Sequence, residues 1–308
     1  MSPLDFTGRC VVITGAGRGI GRGYAMELGR RGASVVINDI SAEPAHAVAE
    51  EINSAGGVAR AIVADLTDPD AGAAIVAQSL EHFGALDAVI VNASINSKRK
   101  AFPELSVDDL ERMLAVNVFG AWRLLQAAWP HLAATGRGRI LLTTSQAGLY
   151  GMPRLAEYAT AKAALIGLMR TLAHEGASVG IKVNAIAPAA TTRLTEETVT
   201  DPAALDMLRA MQPPHLVAPV AALLVHESCP VTGETYLAGG AHVSRAFTGE
   251  TQGLTLPADG FTTEAVLQRW DAVRAETDYR VPRDVSETGD LKQKAEVMRL
   301  LKASGIVN

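Results

Sequence analysis

The stretch that decides the architecture is Arg9–Asp39, RCVVITGAGRGIGRGYAMELGRRGASVVIND. It opens with Arg9–Thr14, a short β-rich run, and passes through a glycine cluster into Tyr24–Arg31, which reads as a helix. Ala33–Asp39 is a second strand-like run. Glycines stand at 15, 19 and 21, a G-x-x-x-G-x-G spacing rather than the strict G-x-G-x-x-G. A residue without Cβ lets backbone approach a pyrophosphate, and a helix N-terminus supplies amide donors and a favourable dipole. Gly15, Arg18, Gly19, Ile20 and Gly21 are therefore candidate phosphate-binding residues. A flexible surface turn is the plainer alternative, but the position between a strand and a helix is the context such a cradle requires. Asp39 closes the second strand. A carboxylate there can accept hydrogen bonds from both hydroxyls of an adenosine ribose and would repel a 2′-phosphate, which favours NAD over NADP. Arg18 pulls the other way, since a loop arginine could reach a 2′-phosphate.

The alternation continues outward. Val58–Asp65, Leu86–Asn92, Arg139–Ser145, Ile181–Ala187 and Thr235–Ala238 read as strands. Glu43–Ala55, Pro69–Phe83, a run from Ser106 towards Trp129, Leu155–Ala177 and Val217–Val225 read as helices. Ser106 with Asp109 forms a capping-box pattern. The strands are nearly continuous apolar runs, as expected of a parallel sheet covered by helices on both faces. The predicted fold is α/β, a Rossmann-type doubly wound parallel sheet of seven strands with a helical C-terminal tail. A ligand should lie beyond the carboxyl ends of the strands, near the switch point. Asp65, ending the third strand, is a candidate contact for adenine, with a helix cap as the rival role. Beyond residue 245 the pattern changes: Gly249–Gly260 is loop-rich, and Thr263–Thr277 and Leu291–Leu301 read as amphipathic helices. Residues 1–245 are expected to form a dinucleotide-binding catalytic domain, and 246–308 a helical extension packed on it or on a partner subunit.

Composition excludes several classes. With 48% hydrophobic and 20% charged residues among 308, the chain is not disordered. A net charge of −5 argues against a nucleic-acid partner. Cys10 and Cys229 are the two cysteines, and neither they nor the seven histidines show a metal-ligand spacing, so no metal is expected. The N-terminus, Met-Ser-Pro-Leu-Asp-Phe, has no basic segment followed by an apolar one. No uncharged apolar run approaches the roughly 18 residues of a membrane helix. No membrane partner and a cytoplasmic location are expected.

Tyr158 and Lys162 are four apart on an expected helix and share a face. Ser145 ends a strand thirteen residues before the tyrosine, and Asn117 lies mid-helix 28 residues before the serine. With Thr14–Gly21, Asp65 and Asn92-Ala93, this set resembles the short-chain dehydrogenase/reductase family across most of the first 240 residues. The resemblance implies an NAD-dependent enzyme moving hydride between cofactor and a secondary alcohol or ketone. A cation can lower a phenol's pKa of near 10 by about 1–3 units, bringing the phenolate within reach of neutral pH. Tyr158 is then the general base or acid, with Lys162 as the cation. Ser145 holds the substrate oxygen. The resemblance further implies that Lys162 binds the nicotinamide ribose, that Asn117 holds a relay water, and that Leu66, Asn92, Ala93 and Tyr158 touch the cofactor. One departure is Val91-Asn92-Ala93-Ser94 in place of the family's Asn-Asn-Ala-Gly, which puts a Cβ at Ser94.

Within that family, Ala127-Ala128-Trp129, Gly148-Leu149-Tyr150-Gly151, Pro188-Ala189 and His226-Glu227-Ser228-Cys229 resemble the (3R)-hydroxyacyl-CoA dehydrogenase part of peroxisomal multifunctional β-oxidation enzymes. The likeness runs into the tail through Thr263–Val266, Trp270 and Glu287-Thr288-Gly289. The implied substrate is a (3R)-3-hydroxyacyl-CoA or a steroid-related molecule, and the implied assembly a homodimer or homotetramer, with Trp122 and Trp129 near the interface or, as the plain alternative, in helix packing within one subunit. Two alternatives stay open: an NADPH-dependent 3-oxoacyl or other carbonyl reductase, and a non-catalytic dinucleotide-sensing protein.

Overall fold

The computed structural model describes residues 4–95, 97, 99–191, 201–289 and 299. In chain order the first half comprises β1 (Cys10–Thr14), α1 (Gly19–Arg30), β2 (Ser34–Asp39), α2 (Ala42–Ser54), β3 (Val58–Val63), α3 (Ala71–Phe83) and β4 (Ala88–Val91). Then come α4 (Val107–Leu114), α5 (Ala121–Ala134), β5 (Arg139–Thr143), α6 (Gln146–Tyr150), α7 (Ala156–Gly176) and β6 (Lys182–Pro188). The remaining described elements of the sheet unit are α8 (Pro202–Met211), α9 (Ala218–Val225), β7 (Thr235–Gly239) and β8 (His242–Ala246).

The strand order is β3-β2-β1-β4-β5-β6-β7-β8. The first seven pair in parallel, so the chain winds outward in both directions from the β1–β4 junction. The apolar runs are continuous because neighbouring residues serve opposite faces. Val11 and Ile13 pack with Tyr24 and Leu28 of α1, Ile52 of α2 and Leu224 of α9. Val12, between them, packs with Ile75 of α3, Leu124 of α5 and Met169 of α7. Period-2 geometry with apolar cover on both sides produces that pattern.

An eighth strand, β8, extends the expected seven. It runs antiparallel to β7 through a two-residue turn in which Gly240 (φ 55°) and Ala241 (φ 59°) both take the left-handed region. That turn matches the twist of a tight hairpin. The strand is exposed at four of its five residues, so it lacks the apolar run that marked the others.

The expected helix from Ser106 is interrupted. Ser106 caps α4 with the anticipated box, its Oγ accepting from Asp109 N–H at 3.2 Å. Between α4 and α5, however, residues Ala115–Gly120 form a π-helical turn. Trp129 packs against the core while Trp122 stays 54% exposed. α6 and α8 had no counterpart among the expected helices.

The chain divides into two compact units, Met1–Ala246 and Phe247–Asn308. In the second, the expected helix over Thr263–Thr277 is two shorter ones, α10 (Thr263–Gln268) and α11 (Trp270–Arg274), broken where Arg269 leaves helical geometry. Thr262 caps α10, and the rings of Phe247 and Tyr279 stack at 5.8 Å. Apart from Arg299, the helix expected over Leu291–Leu301 lies outside the described residues.

Candidate active site

The carboxyl ends of β1, β2, β4, β5 and β6 surround a cleft of about 760 Å³, across the β1–β4 switch point. Gly15, Arg18, Gly19 and Ile20 line it. The first turn of α1 begins there with Arg18 in the N-cap position, without a side-chain cap and without an acidic residue. Its amide donors and dipole are therefore left for an anion. Gly15 is required by space: at φ 62°, a Cβ would stand 2.8 Å from the Ala93 Cα. Gly15→Val is expected to displace the turn and weaken NADH binding at least tenfold, read by fluorescence titration. Gly21 does not line the cleft. A Cβ on it would lie 2.2 Å from the Gly15 carbonyl oxygen, so its smallness lets the turn close on α1.

Asp39 lines the cleft, and its two oxygens accept from Gly17 N–H and Ser41 N–H, each at 3.0 Å. The carboxylate clamps the glycine turn and keeps lone pairs for further donors. Asp65 also lines the cleft, with Leu66, while its Oδ1 accepts from Thr67 N–H at 2.9 Å in a local turn. Asn92 spends its amide on the turn, Nδ2 donating to the carbonyls of Thr14 (3.1 Å) and Gly15 (3.2 Å). The Thr14 hydroxyl completes the bracket by accepting from Asn92 N–H and Ala93 N–H, each at 3.0 Å. Ser94 is exposed on the wall, which accommodates its Cβ. Sequence reasoning missed the parts of Thr14 and Gly17, which lay inside the motif but act through pairings visible only once the strands are side by side.

Ser145 caps α6, its Oγ accepting from Ala147 N–H at 3.1 Å. That contact uses a lone pair and leaves the hydroxyl hydrogen free to donate. Tyr158 and Lys162 stand one turn apart on α7 and line the same cleft as Ser145. Lys162 is buried, with Nζ 5.7 Å from the centre of the Tyr158 ring. The last residue of β5 and the one after it grip it at both ends: Nζ donates to the Thr143 carbonyl at 2.9 Å, and the Thr144 hydroxyl donates to the Lys162 carbonyl at 2.7 Å. No sequence signal marks Thr143, because its main-chain oxygen does the work. Asn117 sits in the π turn, buried and not on the cleft wall. Its Nδ2 approaches Met113 Sδ at 3.1 Å, and its Oδ1 has no partner among the described residues.

Burial pushes the Lys162 ammonium down to about 8 and the Tyr158 phenol above its ordinary value, the Ser145 hydroxyl pulling the phenol the other way. Desolvation penalises both charged forms in the same dry wall.

The family model for short chain dehydrogenase matches residues 9–203. The chain belongs to that family. It is 38% identical over 290 residues to the peroxisomal hydratase-dehydrogenase-epimerase of Neurospora crassa, covering 91% of this chain and 31% of the relative. The full-length peroxisomal multifunctional enzyme type 2 of Drosophila melanogaster superposes with a TM-score of 0.78 at 29% identity, covering 97% of this chain and 50% of that one. An NAD+-bound xylitol dehydrogenase superposes with a TM-score of 0.70 at 28% identity, covering 76% of this chain and 99% of that one. The chain thus spans about a third to two thirds of the multifunctional relatives it matches. The family's cofactor is a nicotinamide dinucleotide, and the uncapped α1 terminus, the glycine turn and the Asp39 carboxylate in one cleft fit it.

Proposed function

We propose that the protein is an NAD-dependent dehydrogenase that interconverts a secondary alcohol and its ketone, with a (3R)-3-hydroxyacyl-CoA or a steroid-related CoA thioester as substrate. The observation that carries this is the convergence of Ser145, Tyr158 and Lys162 on the cleft into which α1 opens uncapped. Ser145 donates its free hydrogen to the substrate oxygen and stabilises charge there. Tyr158 takes the hydroxyl proton in oxidation and returns it in reduction. Lys162, anchored on Thr143, holds the ribose and keeps positive charge near the phenol. The dinucleotide, when bound, exchanges the hydride and in its oxidised form carries a second positive charge. Asn117 Oδ1, buried and without a partner among the described residues, suits a relay water.

Gly15, Arg18, Gly19 and Ile20 hold the pyrophosphate in this proposal, with Asp39 on the adenosine ribose, Asp65 and Leu66 at the adenine, and Asn92 and Ala93 supporting the turn. The choice of NAD rests on Asp39, whose charge opposes a 2′-phosphate. Arg18 on the same wall favours the second reading, an NADPH-dependent carbonyl reductase. The substrate class follows the resemblance to the peroxisomal multifunctional enzymes. Residues 1–245 carry the chemistry, 246–308 form an added extension, and the assembly is a homodimer or homotetramer. A cytoplasmic location is part of the proposal, although the relatives are named as peroxisomal. Among the described residues no helix is long and apolar enough to cross a membrane.

A steady-state screen of 3-hydroxyacyl-CoA esters and hydroxysteroids with NAD and NADP, followed by NADH absorbance, tests it. The expected result is turnover of a CoA ester with kcat/KM at least tenfold higher for NAD. A preference for NADPH reduction would establish the second reading instead.

A further inference from the structure

The charged groups lining the cleft are not evenly spread. Asp39 and Asp65 stand at the ends of β2 and β3, Arg18 at the glycine turn and Lys162 beside Tyr158. The one other charged residue on the wall, among the described residues, is Arg99. It follows β4, in a segment tied to the Tyr158 side of the cleft. The Ser97 hydroxyl donates to the carboxylate of Glu157, the residue before Tyr158. Lys100 N–H donates to the Arg154 carbonyl at 3.2 Å, two residues before α7. The Lys100 ammonium meets Asp109 at 2.7 Å, a contact that holds the Asp109 carboxyl well below the usual range.

These ties neutralise Lys100 and leave Arg99 different. Lys98-Arg99-Lys100 is the one run of three consecutive cations in a chain of net charge −5. Arg99 is exposed, and the contact its guanidinium makes is with an uncharged group, Met152 Sδ at 3.9 Å. Met152, Leu155 and Ile95 share the wall with it. A guanidinium fork beside apolar surface, with no carboxylate paired to it among the described residues, is built to take a carboxylate or phosphate in two parallel hydrogen bonds.

We propose that Arg99 is a specificity-determining residue that recognises an anionic group, phosphate or carboxylate, carried by the substrate away from its reacting carbon. It rests on the dehydrogenase reading above and adds what that reading does not assign, the group that distinguishes a charged substrate from a neutral one of the same reacting end.

The test compares wild type, Arg99→Ala and Arg99→Lys on two pairs whose members share a reacting end and differ in whether the remote end carries an anion. One pair is a 3-hydroxyacyl-CoA and the N-acetylcysteamine thioester of the same acyl chain; the other is a hydroxysteroid carboxylate and its methyl ester. The expected result is a KM at least tenfold higher for the anionic member with Arg99→Ala, kcat within threefold, the neutral member unchanged, and partial recovery with Arg99→Lys. An effect confined to the first pair identifies phosphate, and one confined to the second identifies carboxylate. If Arg99→Ala selectively weakens the anionic member of neither pair, because it leaves all substrates unchanged or alters anionic and neutral members alike, the Arg99 assignment is overturned while the dehydrogenase reading stands. If wild type oxidises none of the four, both fall.

Discussion

Tyr158→Phe is expected to lower kcat for alcohol oxidation by about 10²–10⁴-fold, the usual contribution of a positioned acid or base, while NADH affinity stays within about twofold. The substitution removes one oxygen and keeps the ring, and the residues that shape the glycine turn are elsewhere in the cleft. Steady-state rates and a fluorescence titration separate the two effects. Retained turnover would show that the proton leaves by another group. The pH profile carries the same information. Burial holds the phenol above its ordinary value, so the fraction available as base grows as pH rises. Oxidation by the wild type should therefore accelerate from neutral into alkaline solution, and ketone reduction should slow. The Phe variant's residual rate should lose that dependence.

Lys162→Met should have opposite effects on activity and stability. Activity falls by about 10²-fold or more, because the positive charge beside the phenol and the ribose anchor are both removed. Stability should rise. The Lys162 ammonium is fully buried and titrates at about 8 instead of 10.5, so the unfolded chain holds that proton more firmly than the folded one. Below pH 8 the cost of burying the charge is present in full, roughly 3 kcal/mol. Between about 8 and 10.5 wild-type stability climbs with pH as the folded lysine gives up its proton. Methionine has a similar reach and no charge, and it forfeits the charged bond to the Thr143 carbonyl, worth about 1.5–3 kcal/mol. The expected net gain is about 0–1.5 kcal/mol at pH 7, shrinking and then reversing towards pH 10. Chemical denaturation at several pH values measures it; a variant less stable than wild type at pH 7 would mean that the ammonium is well solvated where it stands. A residue that costs stability and is needed for turnover is the trade-off that active sites commonly show.

The two variants bear on the part of the site that was legible early. Tyr158 and Lys162 share a helix face by their spacing alone, and Ser145 comes just after β5, a strand that any buried parallel sheet would bring to the same edge. Other parts were not legible. That the amide of Asn92, on the cleft wall, also braces the glycine turn is invisible in the sequence. Gly21 belonged to the motif but packs against Gly15 behind the cleft. Asn117 was placed mid-helix, and the π turn around it has no periodic signature. Arg99 is an ordinary surface cation until the ties through Ser97 and Lys100 put it on the cleft wall.

Apolar runs buried on both faces, glycines before a helix and a carboxylate closing the second strand could be read along the chain, because each depends on near neighbours and on a fixed helical or strand period. The antiparallel β8, the pairing of Asp39 with Gly17, the grip of Thr143 on Lys162 and the balance between burial and the Ser145 hydroxyl at Tyr158 depend on residues brought together by the fold. How much water a group loses is set by everything packed around it, and that environment exists only once the chain has closed on itself.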